Sequence, residues 1–446
     1  MNVEDLQWQA NSRGGVFPRV VDCLVEHGHL DLVVQAAGER GDWFCARAAV
    51  RELCAAQEFE RAWVVIKPLA DTGWLPAVSA GADILLLWGR VEDALALARP
   101  DEATWQDGEA CRAYAEVLVK AGRVDEAITL LEPHLVDGRV LPSLVAMTEG
   151  QGSDERVLGL IVPLAEEARR VQAEGRSSSW WRALDLQAEV LERSGRVEEA
   201  IRILGADVAA RRYGPQNTVQ SYVELLARHG RIEELRQAAT GGQAREALPP
   251  LVSALKDAGR AREAETLLRG FIAATDYPGS FQALLMGLLA EQGRIDEAVE
   301  VVRPTFENPW DGLLYPAVHM LAEKGLHERA LRLLDECSPE FLEKTHWVPA
   351  NRWWLMEETG RCRQAIAEVE ATPDLDADER AATIAPLLAL DGRPDEAIEL
   401  LRSHAGVSEA AYLAELLIGQ NRADEALAAI PSVAAQREHA QRPWGD

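Results

Sequence analysis

The sequence predicts an all-α protein in which about thirteen helix–turn–helix repeats stack into a solenoid without a β-sheet. Three observations predict this fold class. One six-residue phrase recurs along the chain, a leucine precedes it at helical spacing, and no segment shows the sustained period-two alternation of a strand. The phrase is clearest at residues 122–127, 195–200, 293–298 and 392–397, which read GRVDEA, GRVEEA, GRIDEA and GRPDEA.

The first residue of this phrase defines a register that continues through weaker copies. It recurs about every 33 residues. Glycine is the usual residue there, because a helix that ends at this point needs a left-handed backbone that glycine adopts without strain. The register positions are Gly28, Gln57, Gly89, Gly122, Gly152, Gly195, Gly230, Gly259, Gly293, Gly325, Gly360, Gly392 and Asn421.

Three further positions give the repeat a physical rationale. An acidic residue stands three positions after the register residue in eleven of the thirteen copies, where it complements the positive N-terminus of the following helix. Alanine stands two positions later in ten copies and permits close helix packing. Leucine stands four positions before the register residue in eleven copies and gives the preceding helix an apolar face. Each copy is therefore predicted to be a pair of helices.

The repeats predict one solenoid domain over residues 1–431. A Thr-Gly-Gly run and a Pro-Pro pair disturb one repeat and indicate a bend near residues 240–250. The longest interval between register positions holds an insertion near residues 171–181. Residues 432–446 lack the repeat, and we expect them to form a C-terminal cap or a partly disordered tail.

Composition restricts the class of partner. The formal net charge is −27. This charge disfavours nucleic acid and anionic membranes as partners, because both attract clustered Lys and Arg. It fits either a protein that repels copies of itself or one that attracts a basic partner. The sequence shows no secretory signal, no long apolar window and six scattered cysteines, so we expect a cytoplasmic protein with reduced thiols. The basic residues are nearly all Arg, which is typical of a GC-rich, actinobacterial type of source.

Motifs that carry chemistry are missing from the sequence. It contains no glycine-rich phosphate loop, HExxH, GxSxG or paired CxxC. Residues 374–379 resemble the start of a calcium loop but lack its glycine and its closing glutamate, so we interpret them as an acidic helix start near Asp376. We expect no catalytic residues, no cofactor and no metal site.

Tryptophan recurs near the start of the leading helix of many repeats. Seven of these residues lie 13 to 17 positions before a register residue. We expect their rings to pack the junctions between repeats, and the alternative is an aromatic strip suited to ligand stacking. They are Trp43, Trp74, Trp105, Trp180, Trp181, Trp310 and Trp347.

The spacing Gly-x-x-x-x-Ala between two helices, at this period, resembles the tetratricopeptide repeat over roughly residues 18–431. The resemblance implies a right-handed superhelix whose leading helices line a concave face. It also implies that residues six and ten positions before each register residue contact the ligand, and we add Trp347 as an aromatic anchor. The predicted partner-binding residues are Arg47, Arg51, Asp83, Arg112, Glu116, Asp185, Glu189, Gln220, Glu224, Tyr315, His319, Trp347 and Trp354.

Functions of different classes remain compatible with this fold. The first is a scaffold that holds a protein segment or peptide in the concave groove. The alternative is a regulator in which a peptide or small ligand closes the superhelix, and an enzyme with an unrecognised helical site comes third. Self-association through the end repeats is also open, because fold alone does not fix function.

Overall fold

The computed structural model describes residues 2–135, 138–174, 181–210, 216–308, 312–338, 340–341, 345–373, 375–404 and 406–440, and in these ranges all regular structure is helical. The helices are α1 (Val3–Ser12), α2 (Pro18–Glu26), α3 (Leu30–Arg40), α4 (Trp43–Ala55), α5 (Phe59–Ala70), α6 (Leu75–Leu87), α7 (Val91–Ala98), α8 (Gly108–Lys120), α9 (Val124–Leu131), α10 (Val140–Met147), α11 (Asp154–Ala173), α12 (Trp181–Arg193), α13 (Val197–Ala209), α14 (Gln216–Arg228), α15 (Ile232–Thr240), α16 (Ala244–Asp257), α17 (Ala261–Ala274), α18 (Gly279–Glu291), α19 (Ile295–Val302), α20 (Leu314–Glu323), α21 (His327–Asp335), α22 (Trp347–Glu358), α23 (Cys362–Ala371), α24 (Ala377–Leu390), α25 (Pro394–Arg402), α26 (Val407–Gly419), α27 (Ala423–Ala429) and α28 (Val433–Ala440).

Every register residue lies in the turn between two helices. The helix before it, which we call the leading helix, carries an even number from α2 to α26, and the trailing helix after it carries an odd number from α3 to α27. All thirteen register residues have a positive φ, including Gln57 at 61° and Asn421 at 58°. The turn prediction is therefore confirmed at each position, even where glycine is replaced.

The turn also provides a hydrogen-bond donor for a carbonyl near the end of the leading helix. At Gly122 the next residue, Arg123, donates its N–H to the carbonyl of Leu118 at 2.8 Å, so the leucine that packs the core also accepts the capping bond. The same pairing recurs from Arg294 to Leu289 at 3.0 Å. The leucine four positions before the register residue thus contributes both to the end of the leading helix and to its buried face.

Substitution of a register glycine tests this geometry. A Cβ added at Gly122 would meet nothing within 4 Å. The substitution Gly122→Ala therefore introduces backbone strain but no steric clash, and we expect the free energy of unfolding to fall by about 1 kcal/mol. Gly38 is equally open but lies inside α3, so Gly38→Ala should raise that free energy by about 0.5–1 kcal/mol. Urea unfolding measures both variants, and effects of the same sign would contradict the assignment of strain.

The alanine and leucine positions of the repeat form the contact between paired helices. The alanines five positions after the register residue, such as Ala127 and Ala298, are fully buried. The leucines four positions before it are buried as well, for example Leu85 and Leu118. Leading and trailing helices of one repeat pack directly on each other, as α8 does on α9 and α18 on α19. Small residues on one helix and leucine on the other make this close approach possible.

The acidic position of the phrase has a second role that the sequence did not reveal. Asp125 accepts from Arg156, in the trailing helix of the next repeat, at 2.5 Å, and Glu198 accepts from Arg231 at 2.6 Å. The arginines that follow register glycines also bond an acid three residues on, as Arg231 does to Glu234. These exposed pairs join consecutive repeats along the trailing helices, although each contributes at most about 1 kcal/mol.

The chain divides into two compact units, unit 1 with residues 1–160 and 369–446 and unit 2 with residues 161–368. Helix α16 runs through Pro249 and Pro250 inside unit 2. Residues 175–180 of the predicted insertion and residues 441–446 of the tail lie outside the described part of the chain. Asp376 caps α24 by accepting from the N–H of Glu379 at 2.8 Å, which confirms the predicted acidic helix start.

Within unit 1 the end of the chain packs against its beginning: α2 contacts α26 and α3 contacts α27. Gln436 of α28 accepts from the N–H of Gly15 at 2.8 Å and donates to its carbonyl at 2.9 Å. Arg40 donates to three backbone carbonyls at the end of α27 and in the turn after it. Asp42 accepts from the N–H of Val16 at 2.6 Å. We call Gly15, Arg40, Asp42 and Gln436 the terminal clasp.

Candidate binding face on the leading helices

All the predicted partner-binding residues lie on leading helices, and none of them is buried. Their spacing of four residues places both members of a pair on one side of the helix. Arg47, Arg51, Glu189, Gln220, Glu224 and Tyr315 are exposed, whereas Asp83, Arg112, Glu116, Asp185, His319, Trp347 and Trp354 are half-buried.

In unit 1 the predicted charged residues mostly pair with each other or with neighbouring leading helices. Asp83 of α6 accepts from Lys120 of α8 at 2.6 Å. Arg112 bonds both Glu109 and Glu116 on its own helix, and this guanidinium holds the pKa of Glu109 below its usual range. These contacts occupy the charges, so this part of the face offers a partner little uncompensated charge.

In unit 2 three predicted residues, Asp185, Glu189 and Glu224, line a cavity of about 750 Å³ between α12 and α14. We call it the acidic cavity. Its charged lining consists of four carboxylates and two guanidinium groups, which leaves a formal excess of two negative charges. The charged lining residues are Arg182, Asp185, Glu189, Glu192, Glu224 and Arg228.

Three charged lining residues of the acidic cavity, Arg182, Glu192 and Arg228, were not predicted. Glu192 accepts from Arg228 at 2.6 Å and also contacts the imidazole of His229 at 2.8 Å. The Arg228 guanidinium, and then His229, lower the pKa of Glu192 from its usual value, so this carboxylate is held ionised. Glu192 and Arg228 lie in the last turn of their helices, one turn beyond the predicted positions, and helical spacing extended by one turn would have found them.

The four predicted aromatic residues of unit 2 come together between α20 and α22. The rings of Tyr315 and Trp347 meet edge to face with centroids 5.0 Å apart. The ring centroids of Tyr315 and His319 are 4.2 Å apart. The ring of His319 stacks on that of Trp354, with centroids 5.6 Å apart and an interplanar angle of 18°. Because each ring is held by another, the cluster presents a rigid aromatic surface.

A cavity of about 460 Å³ opens beside this cluster, and we call it the aromatic cavity. Its lining residues are His319, Ala322, Glu323, Ala350, Asn351 and Trp354. Tyr315 and Trp347 line a neighbouring cavity of about 760 Å³. Of these residues, the sequence did not predict Glu323 or Asn351, which lie on the same helices at positions outside the six-and-ten rule.

Of the other tryptophans, Trp43 and Trp74 follow the packing interpretation and Trp105 does not. Trp43 and Trp74 contact edge to face at 4.8 Å, and each is only 8% exposed. Trp105 is 36% exposed and lies in the linker between α7 and α8. Trp180 and Trp310, and the side chain of Trp181, lie outside the described residues.

The described residues contain no group of three or more His, Cys, Asp or Glu arranged to hold a metal ion. The cysteines are free thiols, and burial raises the pKa of those at Cys45 and Cys337 above the usual value. In the part of the chain that the structure describes, no helix combines the length and apolarity needed to cross a membrane.

The family model of the tetratricopeptide repeat matches residues 108–133 and 279–304. The first segment spans α8 and α9 and the second spans α18 and α19, so each match is one leading and one trailing helix. No curated protein matches the chain in sequence.

Solved structures with helical repeats are similar to this chain at low identity. The Naa15/Naa10 complex bound to HypK-THB shares 15% identity, with 86% of this chain and 67% of that chain covered and a TM-score of 0.38. Maize PPR10 in complex with an 18-nt psaJ RNA element shares 14%, covering 98% and 65%, with a TM-score of 0.35. Yeast Tom70 shares 11%, covering 86% and 90%, with a TM-score of 0.33.

Proposed function

We propose, from the premise that this chain carries tetratricopeptide repeats, that it is a scaffold which binds a basic segment of another protein along the leading helices of unit 2. The observation that supports this most is the presence of two cavities on one series of leading helices. One is acidic, between α12 and α14, and the other is aromatic, between α20 and α22. A segment with basic residues and a stacking side chain complements both.

The helices between these cavities leave a path for such a segment. On α16 and α18 the positions equivalent to the predicted contacts are occupied by uncharged residues, and a Cβ built at Gly287 meets nothing within 4 Å. These residues are Pro249, Ser253, Ala283 and Gly287. From α14 to α20 there are three steps between neighbouring leading helices, each of about 10 Å. This distance corresponds to roughly nine residues of extended chain. A bound segment of about twelve residues would reach both cavities.

Nucleic acid is a poor alternative occupant, because the chain has a net charge of −27 and the acidic cavity has an excess of carboxylates. A regulator that closes on a peptide would use the same cavities and would differ by compacting when the peptide binds. Solution scattering with and without the peptide distinguishes a static scaffold from such a regulator.

Charge reversal on the leading helices tests the proposed function. Glu189→Lys with Glu224→Lys is expected to weaken binding of a basic twelve-residue peptide at least tenfold, because it turns an attractive cavity into a repulsive one. The peptide is taken from a library with randomised Arg and Lys positions, and affinity is measured by fluorescence anisotropy at 50 mM and 300 mM salt.

The matched control makes the same charge change on a trailing helix of unit 2. Asp296→Lys with Glu300→Lys alters exposed residues of α19 and should change the affinity less than twofold. If both double variants weaken binding equally, the leading-helix face is not the binding surface. If no basic peptide binds the wild-type chain, the scaffold function proposed here is wrong.

A further inference from the structure

The aromatic cavity is lined by acceptors and ring faces. Asn351 uses its amide N–H to donate to the carbonyl of Trp347 at 2.9 Å, which leaves its side-chain oxygen as an acceptor. Glu323 is exposed and makes no ion pair with any residue in the described part of the chain. No Lys or Arg of the described residues lines this cavity.

Trp354 forms a pre-formed surface in the cavity. His319 stacks on its ring, and His327 of α21 meets it at an angle of 65° with centroids 6.3 Å apart. The indole is thus fixed from two sides by residues of two helices before any ligand binds. A ligand that stacks here does not have to order the ring, which reduces the entropic cost of binding.

Carboxylates lie on both helices that line this cavity. Besides Glu323, the half-buried Glu357 lies one turn beyond Trp354 on α22. Burial, and then the neighbouring Glu358, raise the pKa of Glu357 above its usual value. A carboxylate destabilised in this way gains from the approach of a cation.

We propose that the aromatic cavity receives the guanidinium group of an arginine in the bound protein segment, stacked on Trp354 and hydrogen-bonded to Glu323 and Asn351. This inference rests on the proposed function and names the side chain that the aromatic end of the face recognises. A guanidinium is planar, carries five donors and no acceptor, and stacks on indole, so it matches a lining of acceptors and a ring face. Lysine provides the charge but neither the plane nor the bidentate geometry.

The test uses the full chain and the highest-affinity twelve-residue peptide from the library. Each arginine of that peptide is replaced in turn by citrulline, which keeps the shape but removes the charge, and by lysine. At one arginine we expect citrulline to weaken binding at least tenfold and lysine to weaken it about threefold. That loss should shrink to less than threefold in the variants Glu323→Gln and Trp354→Phe, because they remove partners of the same guanidinium.

Glu300→Gln on α19 is the matched control, and it should leave the citrulline effect unchanged. If no arginine shows a citrulline effect that depends on Glu323 or Trp354, the inference is overturned. In that case the proposed function still stands whenever Glu189→Lys with Glu224→Lys weakens the same peptide. If no peptide binds at all, the proposed function fails and the inference fails with it.

Discussion

Replacing Leu85 by alanine is expected to lower the free energy of unfolding of unit 1 by about 2–5 kcal/mol. Leu85 stands four residues before register residue Gly89 and is 2% exposed, in α6, which packs on both α5 and α7. Its removal leaves a cavity between helices whose small residues already bring the backbones close, so the neighbouring side chains have little freedom to collapse into it. Urea unfolding followed by circular dichroism measures the change.

The same helix provides the control. Leu87 lies two residues further on and is 62% exposed, so Leu87→Ala should alter the free energy of unfolding by less than about 0.5 kcal/mol. Equal losses for the two variants would show that the leucine position of the repeat has no special role in the core.

Replacing Gln436 by alanine is expected to destabilise the contact between the two ends of the chain by about 2–4 kcal/mol. Gln436 is 3% exposed and pairs with both backbone groups of Gly15. Truncation leaves that N–H and carbonyl buried without a partner, and each unpaired group costs about 1–3 kcal/mol. Faster amide hydrogen exchange in α1, α2 and α28 is the expected readout, since local opening precedes global unfolding.

Gln420→Ala serves as the comparison, because this glutamine lies in an exposed turn of the same unit and should leave exchange unchanged. Association of end repeats between two copies would require the terminal clasp to open. Gln436→Ala should therefore increase any concentration-dependent dimer seen by sedimentation. Unchanged exchange at α1 and α28 would show that Gln436 does not hold the ends together.

The repeats were predictable from sequence because each carries its own local signals. A left-handed turn, an acidic first turn, a small residue and a leucine recur in register, and each acts within one helix pair. Even Gln57 and Asn421, which are not glycine, were assigned correctly because their neighbours keep the register. The terminal clasp was not predictable, since Gly15 and Gln436 are 421 residues apart and nothing local pairs them.

The candidate site was predictable in position but not in pairing. Spacing placed Tyr315, His319, Trp347 and Trp354 on neighbouring leading helices, and the structure brings their rings together. Spacing did not reveal that Asp83 forms an ion pair with Lys120. That pair depends on the rotamers of two side chains that belong to different repeats. The same limit applies to Glu323 and Asn351, which line the aromatic cavity from positions outside the family rule.

The most direct test of the binding face is site-specific photo-crosslinking with the basic peptide. A photoreactive phenylalanine analogue replaces Glu224, Glu323 or Glu300 in separate full-length chains, which places it at the acidic cavity, at the aromatic cavity or on trailing helix α19. If the peptide binds along the leading helices, adducts form from positions 224 and 323 and essentially none form from position 300. Adducts that form mainly from position 300 would contradict it.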